Sequence, residues 1–123
     1  MKSERKKLVA SLDKYFSLFI RARDKRSVFS GSTESLQCFH IFSRVSYSTR
    51  WDELNAFVST ATENLKYEHD TYWQHQVHTW YIEKYGQSQF DLLYAKWNKT
   101  TKYSNADLKV MIEHYKKMLK DLG

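Results

Sequence analysis

The sequence predicts an α+β fold that is mostly α-helical, with a small ββα motif between an N-terminal helix and a C-terminal helical segment. The chain has no proline and only three glycines, a composition that favours long helices and few tight turns. Apolar residues recur at three- and four-residue steps near both ends of the chain, as on the buried face of a helix. Between those regions, residues 36 to 47 alternate loosely between apolar and polar types, which indicates short strands.

The first predicted element is a helix over residues 3 to 25. Its apolar stripe consists of Leu8, Leu12, Tyr15, Phe16, Phe19 and Ile20. The polar run from Ser30 to Thr33 contains Gly31 and predicts a turn. Residues 36 to 47 then predict a hairpin.

Residues 49 to 55 are expected to form a loop with one helical turn. The rest of the chain predicts three helices, of which the first is a long helix from Thr62 to Tyr85, ended by Gly86. A short helix around Phe90 to Trp97 follows. Ser104 and the residues after it have the form of a capping box, which predicts a final helix.

The length of 123 residues predicts one domain over 1–123. We divide it into an N-terminal helix (1–26), a central motif (27–66) and a helical C-terminal part (67–123). No apolar run reaches the roughly 20 residues of a membrane span, and the first residues do not have the apolar core of a signal peptide. A single cysteine excludes an internal disulfide, so we expect a cytoplasmic protein, in the host cell if the chain is phage-encoded.

The charge pattern favours a polyanionic partner. The formal net charge is +6, and basic residues cluster at the end of the first helix and around the central motif. The alternative is a protein that only has a basic surface. The aromatic residues between Tyr67 and Tyr85 can stack on unpaired bases, but their helical spacing is more typical of a core.

Three polar residues of the central motif suggest phosphodiester chemistry. Hydrolysis needs a general base for water and a metal that offsets phosphate charge. His40, Asn55 and Asn64 follow one another at a spacing that fits a ββα nuclease motif, with the histidine as base. The alternative is that His40 is a hydrogen-bonded core residue, Asn55 a loop residue and Asn64 an early helix residue.

The ordered motifs resemble those of the NinG (Rap) recombination protein family of phage lambda, which is related to HNH endonucleases. Residues 13–24 are similar to its N-terminal helix, and Cys38-Phe39-His40-Ile41-Phe42-Ser43-Arg44 resembles its C-G-H-F-I-S-R signature. The family's T-R-W-D-x-x-N run is similar to Thr49-Arg50-Trp51-Asp52 followed by Asn55. Two further runs, at 81–86 and 102–108, resemble the family's K-Y-G stretch and the entry to its last helix.

The resemblance also implies what has been lost. The family binds structural zinc through two C-x-x-C pairs, and those positions here hold Ser27, Ser30, Thr60 and Glu63. Neutral hydroxyl groups do not replace thiolates on zinc, so we expect no structural zinc.

The catalytic positions implied by the resemblance are only partly retained. His40, Asn55 and Asn64 are kept, but Phe39 replaces a glycine and Gln37 stands where a carboxylate is expected. Phe57 stands where the family often has a further histidine. The missing carboxylate weakens any Mg²⁺ or Mn²⁺ site, and such an ion is expected only if the protein is catalytically active.

These features give three functional hypotheses. The first is a zinc-free, catalytically weakened or inactive relative of a structure-specific endonuclease that binds branched or single-stranded DNA. The second is an active, metal-dependent HNH-like endonuclease that uses His40. The third is a nuclease-derived phage protein that binds and inhibits a host defence or repair protein. The expected partners are therefore DNA and, as an alternative, a host or phage recombination or defence protein. The residues expected to contact DNA phosphates are Arg21, Arg23, Arg44 and Arg50.

Overall fold

The computed structural model describes residues 3–123, and over that range it confirms a mostly helical α+β fold. Met1 and Lys2 of the predicted N-terminal segment lie outside the described residues. The elements in chain order are α1 (Glu4–Asp24), β1 (Leu36–His40), α2 (Tyr47–Arg50), β2 (Ala56–Thr60), α3 (Ala61–His69), α4 (Thr71–Tyr85), α5 (Gln87–Trp97) and α6 (Asn105–Leu122).

The two long helices at the ends begin where their sequences predict. The Ser3 hydroxyl caps α1 by accepting a hydrogen bond from the backbone N–H of Lys6 at 3.2 Å. At the start of α6, Ser104 and Asp107 form the reciprocal bonds of a capping box. These helices pack against each other along most of their length, through their apolar stripes.

The hairpin prediction for residues 36–47 is wrong in its second strand. β1 pairs antiparallel with β2, with Cys38 opposite Val58 and His40 opposite Ala56. The intervening residues form a loop that includes the short helix α2, which begins after Ser46. The sheet lies between two helical layers, so β2 is almost entirely buried.

The long helix predicted from Thr62 to Tyr85 is two helices. Asp70 separates them, because its extended backbone ends α3 and its carboxylate caps α4 by accepting from the Trp73 N–H at 3.0 Å. The N-cap of α3 is Thr60, so α3 begins at Ala61, one residue before the predicted start at Thr62. The C-terminal stop at Gly86 is confirmed, since this residue has a positive φ of 94°.

The core has two clusters, one on each face of the sheet. The first joins α1, α6 and the sheet through residues such as Phe16, Val58 and Ile112. The second joins the sheet to α4 and α5 through Phe39, Phe57 and Tyr81, with tryptophan and tyrosine side chains around them. Most of the aromatic residues between Tyr67 and Tyr85 therefore pack into the core, as their spacing predicts.

Candidate nucleic-acid interface and His40 site

The ββα order brings His40 and Asn64 to one groove. β1 ends at His40, and β2 leads directly into α3, which carries Asn64 in its first turn. The groove has a volume of about 560 Å³ and lies between α1, β1 and α3. We call it the His40 groove; its lining is Asp13, Phe16, Ser17, Arg21, Leu36, Gln37, Cys38, His40, Ser43, Arg44, Asn64, Tyr67 and Glu68.

His40 is held in a defined tautomer. Its Nε2 lies 2.9 Å from the carbonyl oxygen of Arg50. Because a carbonyl can only accept, Nε2 carries the proton and Nδ1 carries the lone pair. Burial lowers the pKa of His40 to about 4, so the imidazole is neutral at pH 7 and is a weak base.

Asn55 lies outside the groove and holds the loop between the strands. Its side chain is fully buried and accepts from the Phe42 N–H at 2.8 Å. The same amide donates to the carbonyl oxygens of Phe42 and Thr49, each at 3.0 Å. These bonds fix the loop that carries the Arg50 carbonyl, so Asn55 acts on His40 only through the backbone.

Asn64 makes a polar contact across the groove. Its Nδ2 donates to Oε1 of Gln37 at 2.8 Å. Gln37 thus pairs with Asn64 at the position where the resemblance implies a carboxylate. Within residues 3–123, the Oδ1 atom of Asn64 accepts no hydrogen bond.

Two carboxylates that line the groove are not among the residues predicted from the sequence. Glu68 is one helical turn after Asn64, and an i, i+4 spacing on a predicted helix is the signal that identifies it. Asp13 lines the groove from α1 and is bonded to Arg50, which lies 37 residues later in the sequence. No local pattern around either residue indicates this contact.

The donors of the groove fit a divalent metal ion poorly. They offer a weakly basic imidazole, the Oδ1 atom of Asn64 and the exposed carboxylate of Glu68, while the carboxylate of Asp13 is paired with Arg50. Mg²⁺ prefers several oxygen ligands. Among residues 3–123, no three His, Cys, Asp or Glu side chains come together as a metal-binding group.

Phe39 does not close the groove. Its side chain is fully buried on the opposite face of the sheet, where its ring packs against those of Phe29 and Tyr67 at centroid distances of 5.5 and 4.7 Å. Phe57, opposite Phe39 in the sheet, likewise packs against Trp80. Both residues belong to the core and leave the His40 groove accessible.

The four positions at which the resemblance implies zinc ligands do come together. The Ser27 hydroxyl donates to Oε1 of Glu63 at 2.7 Å, and the backbone N–H of Thr60 donates to the same oxygen at 2.8 Å. Ser27 also accepts from the N–H of Ser30 at 3.1 Å. A hydrogen-bonded cluster around one carboxylate therefore joins the 27–32 turn to the start of α3.

The pKa of Glu63 reflects this cluster. Burial raises the pKa, but the hydrogen bonds from Thr60, Ser27 and Ser30 outweigh that effect and hold it below its ordinary value. Glu63 is therefore ionised at neutral pH, and its carboxylate accepts the hydrogen bonds of this cluster.

The four arginines expected at DNA have different surroundings. Arg23 forms a bidentate pair with Asp24, and also donates to the carbonyl oxygens of Glu53 and Ala56. Arg50 forms a bidentate pair with Asp13 at 3.0 and 2.6 Å. These contacts use most of the N–H donors of the Arg23 and Arg50 guanidinium groups.

Arg21 and Arg44, in contrast, are exposed and line the His40 groove. Their guanidinium groups make no ion pair with the carboxylates of the described residues 3–123. Of the four arginines, these two are the ones available to a phosphate group.

Two further grooves adjoin the His40 groove. The Arg5 groove is lined by Ser3, Arg5, Lys6, Val9, Ala10, Asp13, Tyr47 and Arg50. The Trp97 groove is lined by Val45, Ser46, Tyr47, Trp97, Asn98, Lys99, Thr100 and Thr101. Asp13 lines both the His40 and Arg5 grooves, and Tyr47 lines both the Arg5 and Trp97 grooves, so the Arg5 groove is a neighbour of each of the other two; we call the three together the grooved surface.

Basic side chains dominate this grooved surface. Its cationic residues are Arg5, Lys6, Arg21, Arg44, Arg50 and Lys99, and its carboxylates are Asp13 and Glu68. Asp13 and Arg50 neutralise each other through their ion pair. The other five cationic side chains outnumber the one remaining carboxylate, that of Glu68, so the three grooves together are positively charged.

Comparisons with protein-family models, with curated proteins and with solved structures found no match for this chain. No helix within the described residues is both long enough and apolar enough to cross a membrane.

Proposed function

We propose that this chain binds DNA, branched or single-stranded, along the grooved surface around His40, and that it hydrolyses phosphodiesters weakly or not at all. The observation that carries this proposal is the excess of cationic over acidic side chains in three adjoining grooves. Such a surface attracts phosphates without distinguishing base sequence. The His40 groove is lined by the imidazole of His40 and by two arginines that make no ion pair within residues 3–123, and such cationic groups attract the phosphates of a DNA strand.

The two free arginines supply the main phosphate contacts. Arg21 projects from the last turns of α1, and Arg44 from the loop after β1. They line the same groove as His40, so a strand that contacts these arginines occupies the groove that holds the imidazole. A guanidinium group that is not already paired gives two directed hydrogen bonds to phosphate oxygens.

Weak catalysis follows from the basicity of His40. A general base is most effective when its pKa is near the working pH. The pKa of His40 is about 4, because burial disfavours the imidazolium form. A base of this strength gains little from accepting a proton from water at neutral pH.

The second candidate function is metal-dependent hydrolysis at His40. One observation favours it: the bond from Nε2 to the Arg50 carbonyl leaves Nδ1 as the lone-pair nitrogen, as a general base requires. Asn64 and Glu68 line the same groove. Activity through this site requires that bound DNA or a metal ion changes the environment of the imidazole.

One experiment separates these functions. Labelled four-way junction, single-stranded and duplex DNA are incubated with the protein in EDTA or in Mg²⁺ or Mn²⁺, and binding and cleavage are scored together. We expect salt-sensitive binding without appreciable cleavage, and the same binding by His40→Gln. Metal-dependent cleavage that is lost in His40→Gln establishes the second function instead. Absence of binding to all three DNAs overturns both.

A further inference from the structure

The Trp97 groove has features that the phosphate-binding role does not explain. It has a volume of about 440 Å³ and combines an indole ring with an amide, several hydroxyl groups and the cation of Lys99. Backbone phosphates need only the cation. An aromatic surface surrounded by hydrogen-bonding groups is what a nucleobase requires.

The indole ring of Trp97 is held in a fixed position. Its Nε1 donates to the carbonyl oxygen of Ser43 at 3.1 Å. The ring stacks on Phe42 with a centroid distance of 5.6 Å and an interplanar angle of 27°. Tyr94 lies 6.2 Å away at 32°. A rigid aromatic ring loses little conformational entropy when a ligand stacks on it.

The Trp97 groove is next to the His40 groove along the chain. Ser43 and Arg44 line the His40 groove, and the following residues Val45, Ser46 and Tyr47 line the Trp97 groove. Arg44 of the His40 groove and Val45 of the Trp97 groove are consecutive residues, so a DNA strand bound at Arg44 has the Trp97 groove beside it.

The surroundings of the indole match the two parts of a nucleotide. Asn98 donates its Nδ2 to the carbonyl of Tyr94, which leaves its Oδ1 for the edge of a base. Lys99 makes no ion pair with a carboxylate within residues 3–123, so its ammonium group is available to a phosphate. Lys96, one turn earlier, is instead paired with Asp52 at 2.6 Å.

We propose that the Trp97 groove binds an unpaired nucleotide of the strand that the His40 groove holds, with its base stacked on the indole. This inference rests on the proposed DNA-binding function and adds a preference for single-stranded segments. Bases within a duplex are already stacked and paired, so only a single strand or the open part of a branch presents such a base.

The test compares single-stranded and duplex affinity in two pairs of variants. The probe is fluorescein-labelled oligothymidine of about 12 nucleotides, a length within the range of single-strand site sizes, and the reference is a duplex of equal length. In the first pair, Trp97→Ala removes the stacking ring and Tyr72→Ala removes an exposed aromatic ring on α4, outside the groove. We expect Trp97→Ala to lower the single-strand affinity at least about fivefold and to leave the duplex affinity unchanged. Tyr72→Ala should leave both affinities unchanged.

The second pair avoids disturbing the packing of Trp97 on Phe42. Val45 lines the groove and is 81% exposed, whereas Val110 is 70% exposed on α6, away from the three grooves. Val45→Glu places a carboxylate where the nucleotide binds, and Val110→Glu adds the same charge elsewhere. We expect at least about a fivefold loss of single-strand affinity in Val45→Glu alone, while its duplex affinity falls no further than that of Val110→Glu.

The possible outcomes separate the nucleotide site from the proposed function. If the wild type binds DNA and Val45→Glu binds the single strand as tightly as Val110→Glu, the nucleotide site is overturned and the proposed function stands. If the wild type binds no DNA, both are overturned. Circular dichroism of Trp97→Ala shows whether that variant folds, and if it does not, the comparison of Val45→Glu with Val110→Glu alone tests the nucleotide site.

Discussion

The Nε2 atom of His40 donates a hydrogen bond to the carbonyl oxygen of Arg50 at 2.9 Å. This bond joins the end of β1 to the end of α2 and sets the tautomer of the imidazole. The Arg50 side chain points to a different partner, Asp13 on α1. One residue thus orients the histidine through its backbone and fastens the loop to the first helix through its side chain.

The protonation of His40 gives the first prediction. Burial lowers the pKa of this imidazole to about 4, against about 6.5 in the unfolded chain. We therefore expect its ring protons to show no titration in NMR spectra between about pH 5.5 and about pH 8, and to titrate near pH 6.5 in guanidinium chloride. The spectrum of His40→Gln assigns the resonance. Titration of the native ring near pH 6.5 contradicts the prediction.

The same shift has a consequence for stability. The folded pKa lies below the unfolded one, so the unfolded chain binds the proton more tightly. The contribution of His40 to the free energy of unfolding is complete above about pH 6.5 and is lost as the pH falls toward about 4. We therefore expect the free energy of unfolding of His40→Gln, measured by urea denaturation at several pH values, to fall less than that of the wild type between about pH 6.5 and about pH 4.

Asn55 supplies the second prediction. Its buried amide makes three hydrogen bonds to the backbone of Phe42 and Thr49, and removal leaves those groups without partners. Asn55→Ala should lower the free energy of unfolding by about 3 kcal/mol, measured by urea denaturation. Asn98→Ala, at an exposed asparagine, should change it by no more than about 0.5 kcal/mol. Equal effects of the two substitutions refute the role given to Asn55.

The hydrogen-bonded cluster around Glu63 supplies the third prediction. Glu63→Gln removes the negative charge that accepts from Ser27 and Thr60, and weakens the cap of α3. We expect a loss of about 1 kcal/mol in the free energy of unfolding at pH 7. Glu113→Gln, at an exposed glutamate on α6, is the matched control and should be nearly neutral.

The pH dependence of the Glu63 effect follows from its lowered pKa. A carboxyl whose folded pKa is depressed stabilises the fold above its unfolded pKa, and that contribution is lost as the pH falls through the folded pKa. The difference between wild type and Glu63→Gln should therefore be constant above about pH 5 and shrink at lower pH. A difference that persists unchanged in acid shows that the carboxylate charge is not involved.

The helices were predictable because their signals are local. The stripe of α1 and the capping box at Ser104 each act within a few residues, and both predictions are confirmed. The break at Asp70 was also encoded locally, since aspartate is a favoured N-cap, but the continuing aromatic spacing on either side concealed it. The partner of β1 was not predictable from alternation, because the pairing spans a loop that contains α2.

The candidate site was predictable only in part. The chain order of His40 and Asn64 in a ββα motif predicted that they meet, and both line one groove. The contact between Asp13 and Arg50 depends on how α1 packs against the loop, and nothing local to either residue specifies it. Arg23 is paired with a carboxylate, whereas Arg21 lines the His40 groove without an ion pair to the described residues. This difference likewise depends on tertiary neighbours.

The most direct test of DNA binding along the grooved surface is the salt dependence of single-strand affinity in two double variants. Arg21→Ala/Arg44→Ala removes the two free arginines of the His40 groove, and Lys117→Ala/Lys120→Ala removes the same charge from exposed positions on α6. Fluorescence anisotropy over a range of salt concentrations gives the slope of log affinity against log salt for each protein. We predict that the arginine variant binds more weakly with a slope shallower by about 1.4, about 0.7 for each lost phosphate contact, while the lysine variant keeps the wild-type slope. Equal slopes for the wild type and the arginine variant contradict DNA binding along this surface.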